Sequence, residues 1–210
     1  KIKEIQEQIL KSPIFNQLGQ LDSSSRFARS LNVNSSVYDA YVAIQAGQKM
    51  EALRTQKRKR IADMKGTSNN RIIMRFYASD EYRELVIEHK VANCTECSNI
   101  MFSSLNKEYP NMPVELINMF DTNHAFNVIN RDQSTSIFEP DTWNEDTLVV
   151  DAWKRAVYTK EEFLSVNLQD CDFKLNSGIK GKANQMMRYK DETSVFVFDK
   201  GRLKEEISML

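Results

Sequence analysis

The apolar pattern changes period once along this chain, and that change narrows the folds open to it. Up to Leu105 the hydrophobic residues recur mostly at helical spacing, and from Pro113 they fall into short runs of strand length. Ile2, Ile5, Ile9 and Leu10 mark a first helix, which Ser12-Pro13 ends while starting the next. Asp22-Ser23-Ser24-Ser25 reads as a loop and cap before Phe27 and Leu31, and Asn34-Ser35-Ser36 caps a long helix from Val37 to Met64. Tyr38, Tyr41, Val42, Ala46, Met50 and Leu53 form its predicted apolar stripe. Gly66 to Asn70 is the clearest linker, and Arg71 to Phe76 fits either a helix or a short strand. Ser79-Asp80 caps a helix through Tyr82, Leu85 and Val86, and Thr95 to Leu105 is a further helix with Ile100, Met101 and Leu105 inward. Pro110 and Pro113 bracket a turn.

Three successive strands are then predicted: Pro113 to Phe120, His124 to Ile129 and Thr147 to Trp153. The polar segment Asp132 to Asn144 reads as a loop, Lys160 to Val166 as a helix and Val195 to Phe198 as a strand. Helices first and strands after indicate an α+β fold rather than alternating parallel units. The expected division is a helical N-terminal region over 1–78, able to recognise a partner, and a second unit over 79–210.

Composition limits the function classes. A hydrophobic share of 41% in 210 residues is enough for a core. Twenty-nine basic residues balance 29 acidic ones, so no global field draws the chain to nucleic acid or an acidic membrane. Six Gly, four Pro and the absence of GxGxxG or a phosphate loop argue against a dinucleotide-binding chain. No apolar run reaches the ~20 residues that span a bilayer. Three cysteines cannot all pair with one another, which points to a reducing compartment. The chain opens on Lys1 rather than Met, so it reads as a trimmed or mature fragment.

Three residues carry the candidate chemistry. Cys94 stands where a helix begins, His124 opens a strand, and Asp151 lies near the end of the next one. A thiol attacks amides well only as its thiolate, and the free N–H groups and dipole of a helix amino end favour an anion. The backbone N–H of Cys94 is a candidate oxyanion donor. If the His and Asp strands are antiparallel neighbours, the start of one lies beside the end of the other. Cys94 would then be the nucleophile, His124 the base and later the acid, and Asp151 the group that orients the imidazole.

Asn93-Cys94-Thr95-Glu96 at a helix start, His124-Ala125-Phe126 opening a strand and Val149-Val150-Asp151-Ala152-Trp153 closing another resemble the transglutaminase-like branch of the papain-like superfamily. The resemblance covers residues 90 to 155. It implies a helix carrying the Cys, a small antiparallel sheet, and a Cys94–His124–Asp151 triad with no metal or cofactor. It implies acyl transfer on protein amides as protease, deamidase or transglutaminase. Bacterial effectors in that superfamily act on host proteins, so the resemblance also implies a host protein as substrate and passage from a bacterium into host cytosol. The Asn- and Ser-rich loops and the tail Glu205-Glu206-Ile207-Ser208-Met209-Leu210 resemble such effectors in composition. Two positions depart from the pattern: Ala152 replaces a Pro common between the Asp and the Trp, and Glu88 stands where papain-type members carry a Gln. That leaves the second oxyanion donor open between Asn93 and Trp153, with Trp153 also able to shield the site.

Other readings compete for the same residues. Cys94 and Cys97 form a C-x-x-C that could join His124 or His89 and Cys171 at zinc, or act as a redox pair. Cys94, His124 and Asp151 could be structural, leaving a non-catalytic binding module. His89 reads as a surface residue, Asn123 as a turn residue and Glu96 as a first-turn anion favoured by the dipole. Lys57-Arg58-Lys59-Arg60 spans a helical turn as a solvated face or a contact for an anionic partner.

Overall fold

A computed structural model of the chain describes residues 1–24, 37–64, 73, 76–119, 124–137, 139–165 and 195–199. Helices α1 (Ile2–Lys11), α2 (Pro13–Gln20), α3 (Val37–Asp63), α4 (Asp80–His89) and α5 (Cys94–Glu108) precede strands β1 (Val114–Met119) and β2 (His124–Ile129). A 3-10 turn (Pro140–Thr142) leads to β3 (Leu148–Asp151), β4 (Ala156–Thr159), α6 (Lys160–Ser165) and β5 (Val195–Asp199). The strands form one sheet in the order β4-β3-β2-β1-β5, antiparallel throughout. The architecture is α+β with a small antiparallel sheet.

Local chemistry sets the helix ends. Ser12 Oγ accepts the Phe15 N–H at 3.3 Å and Pro13 takes the first position of α2, where no backbone donor is needed. Ser79 Oγ caps α4 by accepting the Tyr82 N–H at 3.2 Å. Lys90 closes α4 with φ 53, a left-handed conformation that favours glycine. The exposed Lys90→Gly variant is expected to gain about 0.5–1 kcal/mol, raising the melting temperature by roughly 1–4 °C, as a thermal melt would read.

One apolar cluster joins the helices to one sheet face. Ile9 and Leu18 from α1 and α2 pack with Met50 and Leu53, with Met101 and Leu105, and with Leu116, Ile129 and Val150. Gln6 Nε2 also donates to the Val157 carbonyl in β4 at 2.8 Å, so α1 is tied to the sheet edge. The opposite face carries Ile117, Phe126, Val128 and Val149, which the pleat places together. Trp143 stacks on Phe163 with ring centroids 6.0 Å apart, and Phe163 lies 6.0 Å from Phe126, so the 130–147 connection and α6 cover that face.

Two sequence expectations need correction. Only the later part of the α3 stripe is buried, at Ala46, Met50 and Leu53; Tyr38 and Tyr41 are exposed, and Val42 is half-buried. The strand expected through Trp153 stops at Asp151, because the Asp151 carboxylate accepts the Lys154 N–H at 3.0 Å and turns the chain. Arg155 follows at φ 59, and the chain returns as β4, a strand the sequence pattern did not mark. The polar loop expected at Asp132 to Asn144 hides a fully buried Trp143. Gly66 to Asn70, Asn123, Cys171 and the Lys204 to Leu210 tail lie outside the described residues, as does most of Arg71 to Phe76.

Candidate functional site

Two antiparallel strands and one helix start meet at one end of the sheet. The β2–β3 pairing aligns Asn127 with Val150, so Asp151 at the end of β3 falls level with Phe126, and His124, two residues further along the same face, is its diagonal neighbour. His124 Nε2 lies 2.7 Å from Asp151 Oδ2 as a result. Cys94 opens α5 and its thiol hydrogen-bonds the same imidazole. Asp151 holds Nε2, so Nδ1 is the ring nitrogen left to face the thiol. The three side chains are buried, at 7%, 6% and 5% exposure for Cys94, His124 and Asp151. The other oxygen of Asp151 takes the Lys154 N–H, so the turn after β3 fixes the carboxylate.

The imidazole environment is set by opposing terms. Burial lowers its pKa, but hydrogen bonds to Asp151 and Cys94 and their negative charge raise it from 6.5 to about 9. A folded-state pKa above the unfolded value stabilises the fold fully below about 6.5, and that contribution disappears as pH rises through about 9. It is on the order of 3 kcal/mol at most. Thermal melts from pH 6 to pH 10 should therefore show an alkaline loss of stability in the wild type that a His124→Gln variant lacks.

The residues around the triad act as walls. Trp153 stands edge-on to His124, with centroids 5.6 Å apart and planes at 60°. Its indole N–H donates to Ser23 Oγ at 2.8 Å. Ser23 Oγ donates in turn to Asn93 Oδ1 at 2.9 Å, and Asn93 Nδ2 donates to Ser24 Oγ at 3.1 Å. The Trp153 indole N–H and one Asn93 amide N–H are thus directed at serine hydroxyls. Glu88 is exposed on α4.

Glu96 is buried, beyond what a first-turn anion requires. Its Oε2 accepts the Asn93 N–H at 3.2 Å, and Lys57 Nζ lies 3.7 Å from Oε1. Lys57 also sits 5.5 Å from the Tyr77 ring centroid. Arg58 and Arg60 pair with Glu51 and Glu81 at 3.6 and 3.2 Å, while Lys59 is exposed. The basic stretch is therefore partly a structural clamp, with Lys57 holding the first turn of the Cys94 helix.

Cys94 and Cys97 are both buried, and neither is in a disulfide. Among the described residues, which do not include Cys171, no group of three or more His, Cys, Asp and Glu side chains is arranged to hold a metal ion. His89 is half-buried rather than on the surface, with Nδ1 2.9 Å from the Leu85 carbonyl one helical turn back. No described helix is long and apolar enough to cross a membrane.

Sequence reasoning missed Ser23, Ser24 and Lys57 as neighbours of the site. No local signal marks them, since Ser23 is 70 residues from Asn93 and 130 from Trp153. The arrangement can pass a proton between thiol and imidazole and keep the resulting charges beside a carboxylate. Comparison with protein-family models, curated proteins and solved structures returns no match.

Proposed function

We propose that this chain is a cysteine-dependent acyl-transfer enzyme acting on protein amides. The observation that carries the reading is His124 held between the Cys94 thiol and the Asp151 carboxylate at the start of α5. The resemblance to the papain-like and transglutaminase-like superfamily supports the same roles. Cys94 attacks the amide carbon, forming the C–S bond as electrons move onto the carbonyl oxygen. The backbone N–H of Cys94, at the first position of the helix, is the proposed donor to that oxygen. The tetrahedral adduct collapses, the C–N bond breaks, and His124 gives its proton to the leaving amine. Water or a second amine then attacks the thioacyl carbon, passes its proton to His124, and releases Cys94. Asp151 orients the ring and stabilises its cation throughout. With this chemistry we propose a protein of a host cell as substrate, the use that the effector-like members of the superfamily make of it.

The test is alkylation of Cys94 by iodoacetamide across pH, with peptide mapping, in the wild type and in His124→Ala. Fast labelling of Cys94 below pH 7 that His124→Ala abolishes is the expected result. An ordinary thiol profile, half-maximal near about pH 8.5 and unchanged by the substitution, would sink the reading in favour of a binding module. Ammonia release, amine incorporation and chain cleavage on protein substrates then separate deamidase, transglutaminase and protease.

A further inference from the structure

We infer that Ser23 is a positioning residue of the proposed reaction, tying the nucleophile's helix to the ring that packs against the base. The inference rests on the acyl-transfer reading of Cys94 and His124. Ser23 belongs to the N-terminal region yet is only 1% exposed, against the site. A parallel bridge puts it there: the Asp22 N–H donates to the Lys90 carbonyl at 3.0 Å, and the Ala92 N–H donates back to Asp22 at 2.8 Å. The backbone at 22 is thereby locked to the segment that leads into Asn93 and Cys94. Lys49 also holds the Asp22 carboxylate, which ties the same segment to α3.

The hydrogen-bond directions follow from the chemistry of each group. An indole N–H can only donate, so Ser23 Oγ accepts from Trp153. An amide oxygen can only accept, so the Ser23 hydroxyl proton goes to Asn93. Asn93 is the N-cap of the helix that begins at Cys94, and Glu96 reaches back to its N–H. Trp153 is edge-on to His124. One hydroxyl therefore links the residue before the nucleophile to the wall of the base. The link spans three separated pieces of chain, so it fixes the relative placement of thiol and imidazole where backbone connectivity does not. Misplacement of reacting groups by about 1 Å can cost about 100-fold in rate.

Ser23→Ala removes the link from the middle. Trp153→Phe removes its donor while keeping an aromatic ring on His124. In the whole 210-residue chain, both variants are expected to alkylate Cys94 with iodoacetamide at pH 7 about 10- to 100-fold more slowly than wild type. The pH–rate profile should move toward that of an ordinary thiol. The double variant should be no slower than the slower single, because both break one link. Neither substitution removes Cys94, His124 or Asp151, nor the buried Glu96 and its partner Lys57 on the neighbouring helices, so a changed profile reports how the thiol and imidazole are placed. Wild-type rates and profiles in a Ser23→Ala protein that merely melts lower would overturn the inference, as would multiplying effects in the double variant or loss of folding in both singles. If instead the wild type labels like an ordinary thiol and His124→Ala matches it, the acyl-transfer reading falls, and this inference with it.

Discussion

Replacing Asp151 with alanine is expected to slow alkylation of Cys94 at pH 7 by about 100-fold or more. The carboxylate has two jobs, one on each oxygen: Oδ2 holds His124 Nε2 and Oδ1 holds the Lys154 N–H of the turn. Alanine leaves both N–H groups in a buried place without that acceptor, which costs about 1–3 kcal/mol. It also leaves the burial of His124 less opposed, so the imidazole pKa falls from about 9. At pH 7 less of the ring is protonated, and the cation that accompanies a thiolate is lost. Asp151→Asn separates orientation from charge. Its amide oxygen can still accept from Nε2, but its NH₂ then faces the Lys154 N–H, which needs an acceptor. If orientation dominates, Asn should retain most of the rate; if charge dominates, Asn should resemble Ala. Nuclear magnetic resonance titration of His124 in all three proteins reads the pKa directly. A ring that titrates near 9 in the Ala variant would show that Asp151 is not the group that raises it.

The triad was legible because each member sits at an element boundary with a local sequence mark. Cys94 follows an N-cap Asn, His124 opens an apolar run, and Asp151 closes a run of Leu-Val-Val. Antiparallel pairing then brings the last two to the same end and face of the sheet, within side-chain reach of each other. The walls were not legible, because their partners are distant in sequence. A serine in Asp-Ser-Ser-Ser looks the same whether it caps a helix, faces water or accepts from an indole. Lys57 was hidden for a different reason. Within Lys57-Arg58-Lys59-Arg60 composition says only that the helix is basic, and the packing of α3 decides which cation turns inward to Glu96. The strand β4 escaped because the turn that makes it depends on a side-chain-to-backbone bond from Asp151 to Lys154. The apolar Val149-Val150 pattern runs on to Trp153 as though the strand did too. In the same way Trp143 falls in a segment polar enough to read as loop, and only its stacking on Phe163 explains its burial.

The largest stability effect is expected far from the triad. Arg131 Nε donates to Glu115 Oε2 at 2.7 Å and Nη2 donates to Oε1, a bidentate pair with both residues buried. Nη1 holds the Asp132 carbonyl and Thr135 Oγ1 at 3.1 and 3.3 Å, and the Thr135 carbonyl as well. One guanidinium thus fastens the 130–147 connection to β1. Removing it strands a buried carboxylate, so Arg131→Met should cost about 3–5 kcal/mol and lower the melting temperature by roughly 6–20 °C. Replacing both partners, as Glu115→Leu with Arg131→Met, should recover most of that loss, since no buried charge is left. Chemistry should not follow stability here. Glu115 pairs with Val128, whereas His124 pairs with Met119 at the other end of the same ladder. Below its melting point, Arg131→Met should alkylate Cys94 within about 2-fold of wild type, because sites without shared partners act nearly independently. A fall as large as that of Asp151→Ala would mean that the 130–147 connection holds the site, and that the two ends of the sheet are coupled.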